Sequence, residues 1–231
     1  MKMRPRRLLN LLAAAGLLLS SAGLPPVIAN AGANAGASEG ANAETGQRTT
    51  GTALFGWSEI RSEQLAAFTK WTGMLARLGT ETPQVSPLDF VPAGNRLAEL
   101  NAVNRMVNAV SYVSDEENWG AADHWATPGE FYSRSGDCED FAIAKYVALK
   151  QLGFDPASMR IVVLVDRQRH KHHAVLMIDT DMGRLILDNQ IAEVVRDTDI
   201  KHYQPIYSIN ESAWWLHVAK PQTKLVAQRN P

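Results

Sequence analysis

The apolar residues change period about two-thirds of the way along the chain, and this switch limits the fold more than any other feature. Up to Gly153 they recur at three-to-four spacing. One series is Leu65, Phe68, Trp71, Leu75 and Leu78; a second is Leu100, Val103, Val107 and Val110; a third is Phe141, Ala144, Ala148 and Leu152. Such spacing lines one face of an α-helix. Beyond Gly153, short apolar runs bounded by turn residues read as strands: Ile161 to Asp166, His173 to Asp179, Leu185 to Asp188 and Tyr203 to Ile209. Thr180 to Gly183 is the turn that makes a hairpin of the second and third runs. Helices first and strands afterwards predict an α+β fold, with N-terminal helices packed on an antiparallel sheet.

Local signals mark the element ends. Ser62 is the expected N-cap of the first helix and Gly79 its stop. After a link containing Pro83, Pro87 and Pro92, a second helix is expected over Arg96 to Val113. Its Asn101, Asn104 and Asn108 form a stripe of their own, expected to face water. Thr127-Pro128-Gly129-Glu130 has the form of a capping box with proline at the first helical position, starting a short helix that carries Phe131 and Tyr132 inward. A third long helix opens at Cys138, just past Ser135-Gly136, and stops at Gly153. Trp71, Trp214 and Trp215 are expected in the core.

Residues 1–31 have the parts of a secretory signal: basic Lys2, Arg4, Arg6 and Arg7, an apolar run from Leu8 to Leu19, and small residues at Ala29 and Ala31. Cleavage after Ala31 is expected. Residues 32–52 are almost wholly Ala, Gly, Asn, Ser, Thr and Glu, a flexible leader. Residues 53–219 form the domain and 220–231 a polar tail. An apolar share of 45% against 20% charged residues suits a folded globular domain. Signal removal leaves 19 of the 23 basic residues against 24 acidic ones, a net charge of −5. Without a basic stripe, nucleic acid is not an expected partner. The expected location is the periplasm, with no stable membrane span after processing.

Cys138 is the single cysteine of the chain, so no internal disulfide can form. Its place in the first turn of a helix, where free N–H groups and the dipole favour an anion, suits a reactive thiolate. A base is available at His172 or His173 on the first arm of the hairpin. Asp188 on the second arm falls opposite or diagonal to His173, within reach to orient the ring. Thiol, imidazole and carboxylate in that order follow the logic of a nucleophilic triad. Asp137, Glu139 and Asp140 crowd negative charge beside the sulfur, which raises a thiol pKa. Two readings of them stand side by side: they cap the helix and suit its dipole, or they hold a hard cation such as Ca²⁺.

Several strings together resemble one family. They are Gly136-Asp137-Cys138-Glu139-Asp140-Phe141-Ala142-Ile143-Ala144-Lys145-Tyr146, His173-Ala174-Val175-Leu176 and Leu187-Asp188-Asn189-Gln190, with Asn118-Trp119-Gly120 and Trp125-Ala126-Thr127-Pro128 upstream. Over roughly Leu54 to Val218 the chain is similar to the bacterial transglutaminase-like cysteine peptidases, among them LapG-like periplasmic proteases that cleave adhesins. The resemblance implies a papain-like fold and a Cys138, His173, Asp188 triad, choosing His173 over His172. It also implies calcium on Asp137 and Glu139, with Asp140 a further ligand, and regulation by a membrane receptor. The His170-Lys171-His172-His173 run is more basic than the family's usual approach and leaves open a second, softer metal contact.

The expected function is an exported cysteine peptidase that cleaves a protein substrate such as a surface adhesin, with calcium as cofactor. The backbone N–H of Cys138 and an indole N–H of Trp119 or Trp125 are the expected oxyanion donors. Two alternatives share the same residues: acyl transfer from protein glutamine to an amine, and a non-catalytic periplasmic binding domain.

Overall fold

In a computed structural model the described residues are 53–81, 91–92 and 94–219; the expected signal, leader and tail lie outside them. Chain order gives β1 (Ser58–Ser62), α1 (Thr69–Leu78), α2 (Arg96–Asn108), α3 (Asp115–Trp119), α4 (Pro128–Arg134) and α5 (Cys138–Gln151). There follow β2 (Met159–Asp166), β3 (Lys171–Thr180), β4 (Gly183–Leu187), β5 (Val195–Arg196), β6 (Tyr203–Ile209) and β7 (Trp214–Val218). The seven strands form one sheet in the order β1-β7-β6-β2-β3-β4-β5, every neighbouring pair antiparallel. This is the expected α+β class. No helix among the described residues is long and apolar enough to cross a membrane.

Helix α5 is the axis of the helical layer. Glu139 through Leu149 are all buried along it, so the helix is enclosed on every side. Phe141, Ile143, Ala144, Val147 and Ala148 join Trp71, Leu100, Val103 and Phe131 in a cluster that reaches Ile161, Leu176 and Leu187 of the sheet. The opposite sheet face carries a second cluster of Val162, Leu164, Val175, Met177, Ile186, Ile200 and Tyr203. Alternation along β2 and β3 separates the two sets, as a two-residue side-chain period requires. Leu176 pairs with Leu187 and Thr180 with Gly183, so the hairpin turn falls at Asp181-Met182, with Gly183 at φ +104°.

Three local expectations are corrected. Ser62 ends β1 opposite Trp214, and its Oγ accepts the Gln64 N–H at 3.2 Å, so it turns the chain without capping a helix. Helix α1 begins at Thr69 behind Phe68, which has no side-chain oxygen to offer as a cap. Helix α2 stops at Asn108, not Val113, because Tyr112 bridges to Gly136 and Val113 N donates to Gly136 O at 2.9 Å. Tyr132 is 40% exposed while Phe131 is fully buried, so only the first of the two aromatics turns inward. The capping box itself forms as expected: Glu130 N donates to Thr127 Oγ1 and Thr127 N to Glu130 Oε2. Strands β1, β5 and β7 have too little alternation to be read from sequence, and long-range pairing makes them strands.

Candidate active site

Cys138 stands at the first position of α5. Ser135, at φ +70°, turns the chain sharply before it, and Gly136 follows because nothing larger fits. A Cβ at Gly136 would lie 2.3 Å from Asp140 Oδ2. That carboxylate folds back to accept the Asp137 N–H at 3.2 Å, and its Oδ1 accepts the Ala126 N–H at 2.7 Å. Asp140 therefore does the capping work of the first reading and ties the loop before α4 to the start of α5.

The hairpin brings the other two residues together. Extending the β3–β4 register sets Asp188 opposite Val175, one step diagonal from His173 on the same face. His173 Nε2 meets Asp188 Oδ1 at 2.9 Å, and both residues are buried. The carboxylate is held further by Tyr203, whose hydroxyl donates to Oδ2 at 2.6 Å, and by the Gln190 backbone N–H, which donates to Oδ1 at 2.8 Å. His173 and Tyr203, through their hydrogen bonds, keep the Asp188 carboxyl below the usual range despite its burial, which opposes them. On the other side of the ring, the Gln190 side-chain amide lies 3.3 Å from His173 Nδ1. Tyr203 reaches the site through a tertiary contact that local spacing does not show, whereas Gln190 lies only two residues past Asp188 and is its local turn partner.

The asparagine stripe of α2 does not face water. Asn108 Nδ2 donates to Asp188 O at 2.8 Å, Asn104 Nδ2 to Ile191 O and Ala192 O at 3.0 Å each, and Asn101 Oδ1 accepts the Val194 N–H at 2.8 Å. Their spacing of three and four puts all three on one helix face, pinning the segment after Asp188 at successive points. Asn108→Asp keeps the shape and loses the donor. Lost support of a buried carbonyl is expected to lower the melting temperature by a few degrees, equivalent to about 1–2 kcal/mol, and thermal unfolding measures it.

Around the sulfur the charge is strongly negative. The Cys138 thiol donates to Glu139 Oε2 at 3.3 Å. Burial first, then Glu139 and Asp137, push the Cys138 thiol upward, while the Ala174 N–H opposes them. Burial and the adjacent Asp137 carry Glu139 up to about 10. Asp140 rises to about 7, chiefly through burial, and burial likewise raises Asp115. Potential ligand oxygens of Asp115, Asp137 and Asp140 lie within 4.8 Å of one another, and so do those of Asp115, Asp123 and Glu139. Asp115 Oδ1 and Asp137 Oδ1 are buried without a hydrogen-bond partner. Such orphaned carboxylate oxygens, all hard donors, fit a hard cation such as Ca²⁺. The set is wider than Asp137, Glu139 and Asp140, adding Asp115 from the start of α3 and Asp123 from the loop that follows. Asp115 was concealed as an ordinary first-turn acid behind the Ser114 cap.

A cavity of about 400 Å³ opens over these groups, lined by Cys138, Asp137, Glu139, His172 and His173 together with Tyr112, Trp125, Val163, Ile206 and Tyr207. Both candidate histidines thus reach it, and the Asp188 bond belongs to His173. The two tryptophans named as candidate oxyanion donors are placed differently. Trp125 spends its indole N–H on Asp123 Oδ1 at 3.0 Å, and Trp119 stacks beside His124 and under Arg134, outside the cavity lining.

A helix-tip thiol that shares a cavity with a strand-borne imidazole, itself bonded to a carboxylate, fits a papain-like cysteine peptidase. Residues 79–223 match the family model of the bacterial transglutaminase-like cysteine proteinases, and the chain belongs to that family. Among solved structures, Legionella pneumophila LapG is 29% identical, with 64% of this chain and 77% of that one covered and a TM-score of 0.46. Its calcium-bound form is 27% identical over 71% of this chain and 85% of that one, with a TM-score of 0.48. No curated protein matches the chain.

Proposed function

We propose that this cysteine peptidase is exported to the periplasm and cuts a protein substrate through Cys138, His173 and Asp188. The observation that carries this reading is the shared cavity: Cys138 and His173 both line it, and His173 is held from behind by Asp188 at 2.9 Å. With Nε2 turned to Asp188, Nδ1 is the nitrogen left to take the thiol proton. The sulfur anion then attacks the substrate carbonyl, and the backbone N–H groups at the start of α5 face the developing oxyanion. Imidazolium returns its proton to the leaving amine, and water frees the acyl group. For the first proton to move, the Gln190 amide must yield Nδ1 and the thiol must leave Glu139.

Asp115, Asp123, Asp137, Glu139 and Asp140 would hold Ca²⁺, Asp140 also accepting the backbone N–H groups of Ala126 and Asp137. When bound, the ion supplies positive charge that offsets the carboxylates around the sulfur. The family resemblance further suggests a surface adhesin as substrate and a membrane receptor as regulator.

Incubating the purified protein with exported adhesins, with and without a calcium chelator, tests the reading. Discrete cleavage is expected with calcium and none with Cys138→Ala; cleavage that persists in the variant would refute it.

A further inference from the structure

One row of side chains runs across the sheet from the Cys138 cavity to the edge strand β1. Ala174 of β3 lies opposite Val163 of β2, Val163 opposite Tyr207 of β6, Tyr207 opposite Leu216 of β7, and Leu216 opposite Ile60 of β1. Directly opposed residues point to the same face of a sheet, so the five stand side by side. That face is the one carrying the helices, since Val163 and Tyr207 pack on the same cluster as α5. Ala174, Val163 and Tyr207 belong to the cavity lining. Beyond them the row leaves the cavity and stays apolar: Leu216 is 37% exposed and Ile60 half-buried. A single exposed leucine needs no explanation, but one that continues a row leading out of a nucleophile's cavity does.

Two features show that this strip is built to be used. The pairing of β6 with β2 steps at the cavity: Val163 pairs with Tyr207 and Leu164 with Pro205, so Ile206 has no partner on β2. Ordinary alternation would turn Ile206 and Tyr207 to opposite faces, yet both line the cavity. An extra residue in an interior strand disrupts its ladder, and the result here is a second apolar side chain aimed at the space beside Cys138. The Tyr207 ring is also held in place, with Phe68 5.2 Å from it and Trp214 5.1 Å from Phe68.

We propose that this strip is the substrate groove. An extended segment of the substrate polypeptide lies across the strands from Cys138 toward β1, with apolar side chains set on Ile206 and Tyr207 near the cut bond and on Leu216 and Ile60 farther out. The inference rests on the peptidase reading above. Four strand-to-strand steps separate β3 from β1, about 19 Å, the length of about five or six extended residues. Alternate side chains of such a segment face the sheet, so about three of them meet the strip. The substrate class that follows is a stretch of chain free of its own secondary structure, with apolar residues at every second position on one side of the cut. Ile206 and Leu216 are then specificity-determining residues, one at each end.

The test uses the purified protein in calcium and a mixture of end-blocked, proteome-derived peptides, with cut sites read by mass spectrometry. Apolar residues should be enriched at two or three alternate positions on one side of the cut. A synthetic peptide of the preferred sequence is then compared with one truncated two residues from the cut on that side. Leu216→Lys should lower kcat/KM for the long peptide about tenfold, the scale of one lost apolar contact, and leave the short peptide at its wild-type rate. Ile206→Ala should weaken the preference nearest the cut and slow both peptides. Leu97→Lys, at a comparably exposed leucine of α2, should change neither.

Cuts without apolar preference, a mixture left whole, or a Leu216→Lys variant that treats the two peptides in the wild-type ratio would overturn the inference. Should Leu216→Lys melt well below the wild type, Leu216→Ser carries the same comparison. Cuts that persist in Cys138→Ala would instead sink the peptidase reading on which the groove depends.

Discussion

His173→Gln is expected to reduce kcat for substrate cleavage by roughly 10⁴ to 10⁶ while leaving KM within a few-fold, the scale seen when one member of a nucleophilic triad is removed. Glutamine can keep a hydrogen bond to Asp188 but cannot accept a proton. The fold should tolerate the exchange, because the change falls at the cavity margin and leaves the β2–β3 register untouched. Asp188→Asn should fall in the same range, through loss of the charge that fixes the imidazole. His172→Gln is the matched control: His172 also lines the cavity, yet the Asp188 bond is made by its neighbour. Steady-state kinetics on the three variants decide the matter, and near-equal losses at His172 and His173 would contradict the role given to His173.

Calcium removal should produce the second large effect, and its pH dependence has a definite sign. In the metal-free cluster, burial raises Asp140 from 3.8 to about 7 and Glu139 from 4.5 to about 10. A carboxyl whose folded value lies above its unfolded value binds more protons when folded. Its stabilisation is present at low pH and is lost as pH rises toward the folded value. In chelator, the melting temperature should therefore decline between about pH 4 and pH 7 from the Asp140 contribution, and Glu139 extends the decline upward. Calcium takes the place of those protons and should remove or reverse the decline. At 100 times its Kd the ion would contribute about 2.7 kcal/mol, or roughly 5–10 °C for a domain of this size. Asp115→Asn combined with Asp137→Asn should abolish the calcium-induced rise. Identical melting profiles with and without the ion would contradict the assignment of these residues to a cation.

Much of the frame was legible because its signals are local. Helix α5 announces itself through the Phe141, Ala144 and Ala148 spacing and the αL glycine at Gly153, and the β3–β4 hairpin through two apolar runs about a turn ending in Gly183. The first-turn position of Cys138 and the diagonal relation of His173 to Asp188 come from those same periods. What stayed hidden is long-range. Asn101, Asn104 and Asn108 look like a wet helix face until the segment after β4 is seen folded across them. Tyr203 becomes a partner of Asp188 only once the sheet order sets β6 beside β2. Ser62 shows the converse: a serine before an apolar series has the form of a cap, but strand pairing with β7 claims it first.

Of all these tests, the alkylation rate of Cys138 bears most directly on the chemistry. Measured in calcium near neutral pH, where an ordinary thiol is mostly protonated, the wild type should react with iodoacetamide about a hundredfold faster than His173→Gln. Equal rates in the two proteins would mean that the imidazole does not draw the proton from the sulfur, and the proposed mechanism would fall with it.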